Sequence, residues 1–144
     1  MEDNNALFRE IKKISVLYGN IAADMGLSES AFWVLYVLCT STCPCSQQCI
    51  ASKLSIPKQT VNSAVQVLCQ NGYIYLEYAP NTVRTKLIKL TETGTEFIQK
   101  NIYPLLQVEK RVLYKMGPQG GRPCEEFLRN YIVFMQEEIK QRYN

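Results

Sequence analysis

The residues with the clearest chemical potential are amides and hydroxyls on one short segment, KQTVNSAVQ at 58–66. At helical spacing Gln59, Asn62, Ser63 and Gln66 fall on one side, opposite Val61, Ala64, Val65 and Leu68. Asn and Gln can offer a donor and an acceptor together to an adenine edge, and a Thr60 methyl suits the thymine methyl. Each good pair supplies about 1–3 kcal/mol of discrimination. Such a face suits an A·T-containing duplex better than a G·C-rich one; a solvated polar surface is the alternative. Further on, Arg84 and Lys86 lie two residues apart, hence on one face of an expected strand near its tip. Cations there would meet phosphates or enter a minor groove.

The second chemical set is the cysteines. Cys39, Cys43, Cys45 and Cys49 crowd into CTSTCPCSQQC, with Cys69 and Cys124 elsewhere. Reduced thiols act as small hydrophobes, and Cys39, Cys45 and Cys69 fit apolar positions of helices. Alternatively, exposed thiols among Cys43, Cys45 and Cys49 would sense oxidants. A thiolate metal site is the third reading, although the spacing is not that of a zinc knuckle and the chain has no histidine. No metal and no cofactor is expected. The aromatics Tyr18, Phe32, Trp33 and Tyr36 could line a pocket for a small aromatic effector, with a tyrosine hydroxyl to orient it; core packing is their alternative.

Catalysis finds no foothold. Without histidine, a phosphate-cradling glycine loop, a nucleophile elbow or a redox Cys-x-x-Cys, the chain is expected not to be an enzyme.

The elements that must position these residues follow from periodicity. Leu7, Ile11, Ile14, Tyr18, Ile21 and Met25 make one apolar stripe on a first helix. Ser28 caps a second, SESAFWVLYVLCT, which is apolar nearly all round and belongs at the centre. Ser46 caps a short third helix burying Ile50, Ala51 and Leu54. A tight turn at 55–57 leads to the fourth helix, which starts beside Pro57 and stops at Asn71–Gly72 with a left-handed cap. Two short helices so joined make a helix-turn-helix, with Ser46, Gln47 and Lys58 near the same duplex as the amide face. YIYLEY and VRTKLIKL, separated by 79–82, read as a hairpin, or wing. A long helix follows, with a kink expected at Pro104, then the breaker run GPQGGRP at 117–123 as a loop, then a final helix with Phe127, Leu128, Tyr131, Met135 and Ile139 on it.

Composition agrees with a globular domain: 144 residues, 47% hydrophobic and 20% charged. Net charge is only +3, but residues 30–91 carry Lys53, Lys58, Arg84, Lys86 and Lys89 against Glu77 alone, a segregation typical of a nucleic-acid footprint, with a solvated basic surface as the alternative. No apolar run is long enough for a membrane span, and the acidic N-terminus lacks the flank of a signal segment, so a cytoplasmic protein is expected.

FWVLYVL, the stretch QQCIASKLSIPKQTVNSAVQVLCQNGYI and IKLTETG together resemble the MarR family of winged-helix regulators. The resemblance implies a mainly α fold with a small β-hairpin wing, in one domain spanning 1–144. The winged helix-turn-helix core would occupy about 28–91, and the N- and C-terminal helices, about 1–27 and 92–144, would dimerise it. It implies a homodimeric transcriptional regulator on a pseudo-palindromic double-stranded DNA operator, modulated by a small aromatic ligand or by thiol oxidation. Family members often carry an Asp-Arg-Arg type wing tip, where this chain has Thr82, Val83 and Arg84, so the minor-groove contact passes to Arg84 with Lys86 as helper. An arginine frequent in the recognition helix is Ser63 here. The competing reading is a winged-helix module that binds protein without specific DNA binding.

Overall fold

The structure, a computed structural model, describes residues 5–143. Glu2 and Asp3, part of the N-terminus expected not to be a signal segment, lie outside them. In order come α1 (Asn5–Asp24), α2 (Glu29–Thr40), β1 (Cys45–Ser46), α3 (Gln47–Leu54), α4 (Lys58–Gln70), β2 (Ile74–Tyr78), β3 (Lys86–Leu90), α5 (Glu92–Phe97), a π-helical turn (Ile98–Ile102), α6 (Tyr103–Met116) and α7 (Arg122–Tyr143). The chain divides into two compact units, one ending at Tyr103 and the other beginning at Pro104.

In the first unit α2 is the hub. Its Ser28 cap accepts the Ala31 N–H at 3.2 Å, and Ala31, Phe32, Val34, Leu35 and Val37 are buried against α1, α3, α4 and the π turn. α4 buries Val61, Ala64, Val65 and Leu68, as its period requires. Its left-handed stop falls on Gly72, at φ +77°, while Asn71 stays right-handed. Between α3 and α4, Ser55 adopts φ +53° and its N–H bonds the Ala51 and Ser52 carbonyls. The apolar stripe of α1 is bare in its middle: Ile11 and Ile14 are 39% and 57% exposed, while Leu7, Tyr18, Ile21 and Met25 are half-buried.

The sheet has three antiparallel strands in the order β1-β3-β2. The expected hairpin is two of them; β1 escapes sequence reading because two residues show no alternation. The hairpin's second strand also starts later than expected, at Lys86. Asn81 turns left-handed at φ +61°, Ala79 N–H bonds Thr85 O at 2.8 Å, and the Thr82 hydroxyl accepts the Arg84 N–H at 3.1 Å. That hydroxyl claims an amide the ladder would need. Arg84 therefore sits in the wing loop, and it does not share a strand face with Lys86 as expected.

Thr91 ties the wing's exit to the end of α4. Its hydroxyl accepts the Gly94 N–H at 2.9 Å and donates to Gly72 O at 2.5 Å, and its N–H bonds Tyr73 O at 3.1 Å. Gly94 is buried so closely against this corner that a Cβ would lie 1.8 Å from Tyr73 O.

Just before Pro104, where a kink is expected, the chain makes a π turn, closed by the Tyr103 N–H on Ile98 O. A proline ring crowds the preceding turn and offers no donor, and a widened turn relieves both problems. In the second unit neither α6 nor α7 has a buried residue. Val112, Leu113 and Met116 on α6 and Phe127, Phe134, Met135 and Ile139 on α7 are exposed. The loop between them is shorter than the breaker run, because α7 begins at Arg122 and takes Pro123 into its first turn, where no donor is missed.

Candidate nucleic-acid interface

The residues expected to meet DNA divide between a groove and a face. Ser46 and Gln47 at the start of α3, Lys58 at the start of α4, and Arg84 and Lys86 of the wing line one open groove of about 500 Å³. Gln48, Tyr78, Val83 and Thr85 complete it, and no carboxylate lines it. Three cations converging on one trough, with the first N–H groups of α3 beside them, make a setting for a phosphate backbone. Lys86 Nζ lies 5.1 Å from the centre of the Tyr78 ring, its partner across the hairpin. The ring face steadies the ammonium without neutralising it. Tyr78 was unforeseen; only the exact pairing of the two strands brings it opposite a cation.

Beside the groove, Gln59, Asn62, Ser63 and Gln66 stand exposed on α4, with Thr60 half-buried at their edge. Two hydroxyls are partly committed. Ser63 Oγ donates to Gln59 O at 3.1 Å, which leaves it free only to accept, and Ser46 Oγ accepts the Cys49 N–H at 3.1 Å as the cap of α3. The amides of Gln59, Asn62 and Gln66 are thus the groups able to make paired contacts to a base edge.

Residues 25–82, covering α2 to the wing tip, match the MarR family model. NMB1585, a MarR family regulator from Neisseria meningitidis, is 25% identical and superposes with a TM-score of 0.82, over 98% of this chain and 99% of that one. The chain is similar to MarR-family regulators over this core and shares their winged-helix fold. The S. aureus MepR–DNA complex shares its fold at 18% identity and a TM-score of 0.68, covering 94% of this chain and 99% of that one. So does S. aureus MarR in complex with salicylate and kanamycin, at 16% identity and 0.66, covering 93% and 90%. None of the curated proteins compared matches the chain. No single helix among the described residues is long and apolar enough to cross a membrane.

Within this winged-helix fold the four aromatics do meet. Tyr18 stacks on Trp33 at 5.1 Å, Trp33 meets Tyr36 edge-on at 5.2 Å, and Phe32 lies within 6.2 Å of all three. Phe32 is fully buried and packs the core side of the cluster, so it has no surface for a ligand. Trp33 alone of the four lines a cleft of about 400 Å³, with Glu29, Ser30, Lys53, Leu54 and Ile56.

The cysteines separate by burial. Cys43 and Cys124 are exposed, whereas Cys45 is 1% exposed on β1, which removes it from the exposed thiols expected to meet oxidants. Its place in the core is on a strand and not on a helix. Burial pushes the Cys49 thiol up, helped by the adjacent Cys45 thiol and opposed by Lys53; burial likewise raises Cys39, against a Tyr103 hydrogen bond, and Cys69. A raised pKa keeps these three protonated and sluggish at neutral pH. Alkylation of the native protein is therefore expected at Cys43 and Cys124 first. Cys39, Cys49 and Cys69 should follow, accelerating as the pH rises beyond the ordinary thiol range, and Cys45 only on unfolding. Peptide mass spectrometry after a timed iodoacetamide pulse checks the order; equal rates at Cys45 and Cys43 would contradict it.

Proposed function

We propose that this protein is a cytoplasmic, homodimeric transcriptional regulator that sets α4 of each protomer into successive major grooves of a pseudo-palindromic operator. The observation that carries the reading is the carboxylate-free groove lined by Lys58, Arg84 and Lys86 beside the amide face of α4. A backbone strand lying in that groove brings Gln59, Asn62 and Gln66 to the base edges next to it. Dimerisation is supported in each unit by apolar surface that one copy leaves in water: Phe8, Ile11, Ile14 and Leu17 on α1, and the α6 and α7 residues named above. Burial against a second copy is the economical cover. Two-fold symmetry then presents two recognition helices, which need a spacing of about 34–36 Å on B-form DNA. An aromatic acid is the effector class we favour, on the Tyr18–Trp33–Tyr36 cluster and by analogy with the salicylate complex of S. aureus MarR; oxidation at Cys43 is the second route to release.

Selection of binding sites from random duplex DNA tests this reading. A·T-containing half-sites related by a dyad are expected, with sedimentation giving twice the 16.5 kDa chain mass. In Asn62→Ala, one base position per half-site should lose about 1–3 kcal/mol of discrimination while the others keep theirs. Failure to select any sequence at low salt would overturn the reading in favour of a protein-binding module.

A further inference from the structure

Within the first unit, the most exposed large hydrophobic side chain sits on the wing. Val83 is 82% exposed; the next most exposed large hydrophobic residue before Tyr103 is Ile14, at 57%. A lone exposed valine needs no explanation by itself, but this one is held in place. Asn81 in its left-handed turn, the Ala79–Thr85 hydrogen bond at 2.8 Å and the Thr82 hydroxyl on the Arg84 N–H at 3.1 Å fix the loop on both sides of it. It stands on the same groove as Lys58, Arg84 and Lys86.

With α4 in a major groove, the backbone strand lying between Lys58 and the wing is the one that separates that groove from the neighbouring minor groove. On that placement of the duplex, the wing loop would reach past the strand toward the minor-groove floor. We infer that Val83 is a specificity-determining residue that reads this floor by exclusion, accepting A·T pairs and rejecting G·C pairs next to the half-site. The floor of A·T pairs shows only acceptors, whereas guanine adds a single amino donor, N2. A valine side chain accepts no hydrogen bond, so it would strip water from that donor and leave it unsatisfied. This inference rests on the DNA-binding reading and goes beyond it, because α4 has no part in it.

Inosine separates the effect from every other. An inosine·C pair has the major-groove edge of G·C but lacks the N2 amino group. Binding is measured by fluorescence anisotropy on a selected operator whose flanking pair is A·T, G·C or inosine·C. The wild-type protein should bind the G·C duplex about tenfold more weakly than the other two. Val83→Ser, whose hydroxyl can accept from N2, should bring the three duplexes together, with thermal stability and the salt slope unchanged. Equal binding of the G·C and inosine·C duplexes by wild type, or a difference that survives in Val83→Ser, overturns the inference while the DNA-binding reading stands. Absence of any selected operator instead defeats that reading, and this one with it.

Discussion

Arg84→Glu is expected to weaken operator binding by roughly 100-fold and to flatten its salt dependence. The guanidinium stands in a groove with Lys58 and Lys86 and with no carboxylate. Reversal therefore puts a negative charge where the proposed phosphate lies. A charged hydrogen bond contributes about 1.5–3 kcal/mol, and a loss of about 1.4 kcal/mol in each of two wings compounds to that factor. Releasing one phosphate per protomer should also reduce the slope of log K against log salt by about 1.8. Because a backbone contact carries no sequence information, the loss should be uniform across operators, unlike the positional change expected for Asn62→Ala. Anisotropy titrations at several salt concentrations read both quantities. An unchanged slope would remove Arg84 from the phosphate contacts.

The second large effect is on stability. Gly94 lies inside α5, where helix propensity alone would make alanine better by about 1 kcal/mol. Space decides against it. A Cβ there would lie 1.8 Å from Tyr73 O, 2.8 Å from Tyr73 C and 3.2 Å from Tyr73 Cα. These are backbone atoms, and Tyr73 O also accepts the Thr91 N–H at 3.1 Å, so they cannot yield without opening the corner between α4 and β2. Overpacking of this kind costs typically about 1–3 kcal/mol, and more when a hydrogen-bonded corner must move. Gly94→Ala should thus melt about 10 °C lower, given about 2–4 °C per kcal/mol near this chain length. Thermal unfolding followed by circular dichroism checks it. A higher melting temperature would mean that propensity had won.

How much of this was legible depended on whether a residue's role is local. The caps at Ser28 and Ser46, the buried period of α4 and the polar face of Gln59, Asn62, Ser63 and Gln66 follow from spacing along one element, and the structure has them all. What pairing decides was hidden. β1 exists only because Cys45 and Ser46 lie beside Ile88 and Leu87, and the same placement buries Cys45, which sequence spacing could not distinguish from its exposed neighbour Cys43. Arg84 looked like a strand residue because its neighbours have β propensity, but the Thr82 hydroxyl overrules propensity by taking its amide. In the candidate site the cations Lys58, Arg84 and Lys86 were readable as charge, while Tyr78 and Val83 were not, because nothing in their types announces a groove.

Ser46 is both the last residue of β1 and the cap of α3, so not one linker residue separates the sheet from that helix. The wing strand β3 is clamped to the same two residues through Cys45↔Ile88 and Ser46↔Leu87. A hinge needs slack, and this junction has none. The wing strand cannot swing away from α3 without breaking a strand pairing or uncapping the helix. The width of the trough between them is therefore a matter of strand register, set when the chain folds, and the proposed duplex would meet a gauge already cut to size.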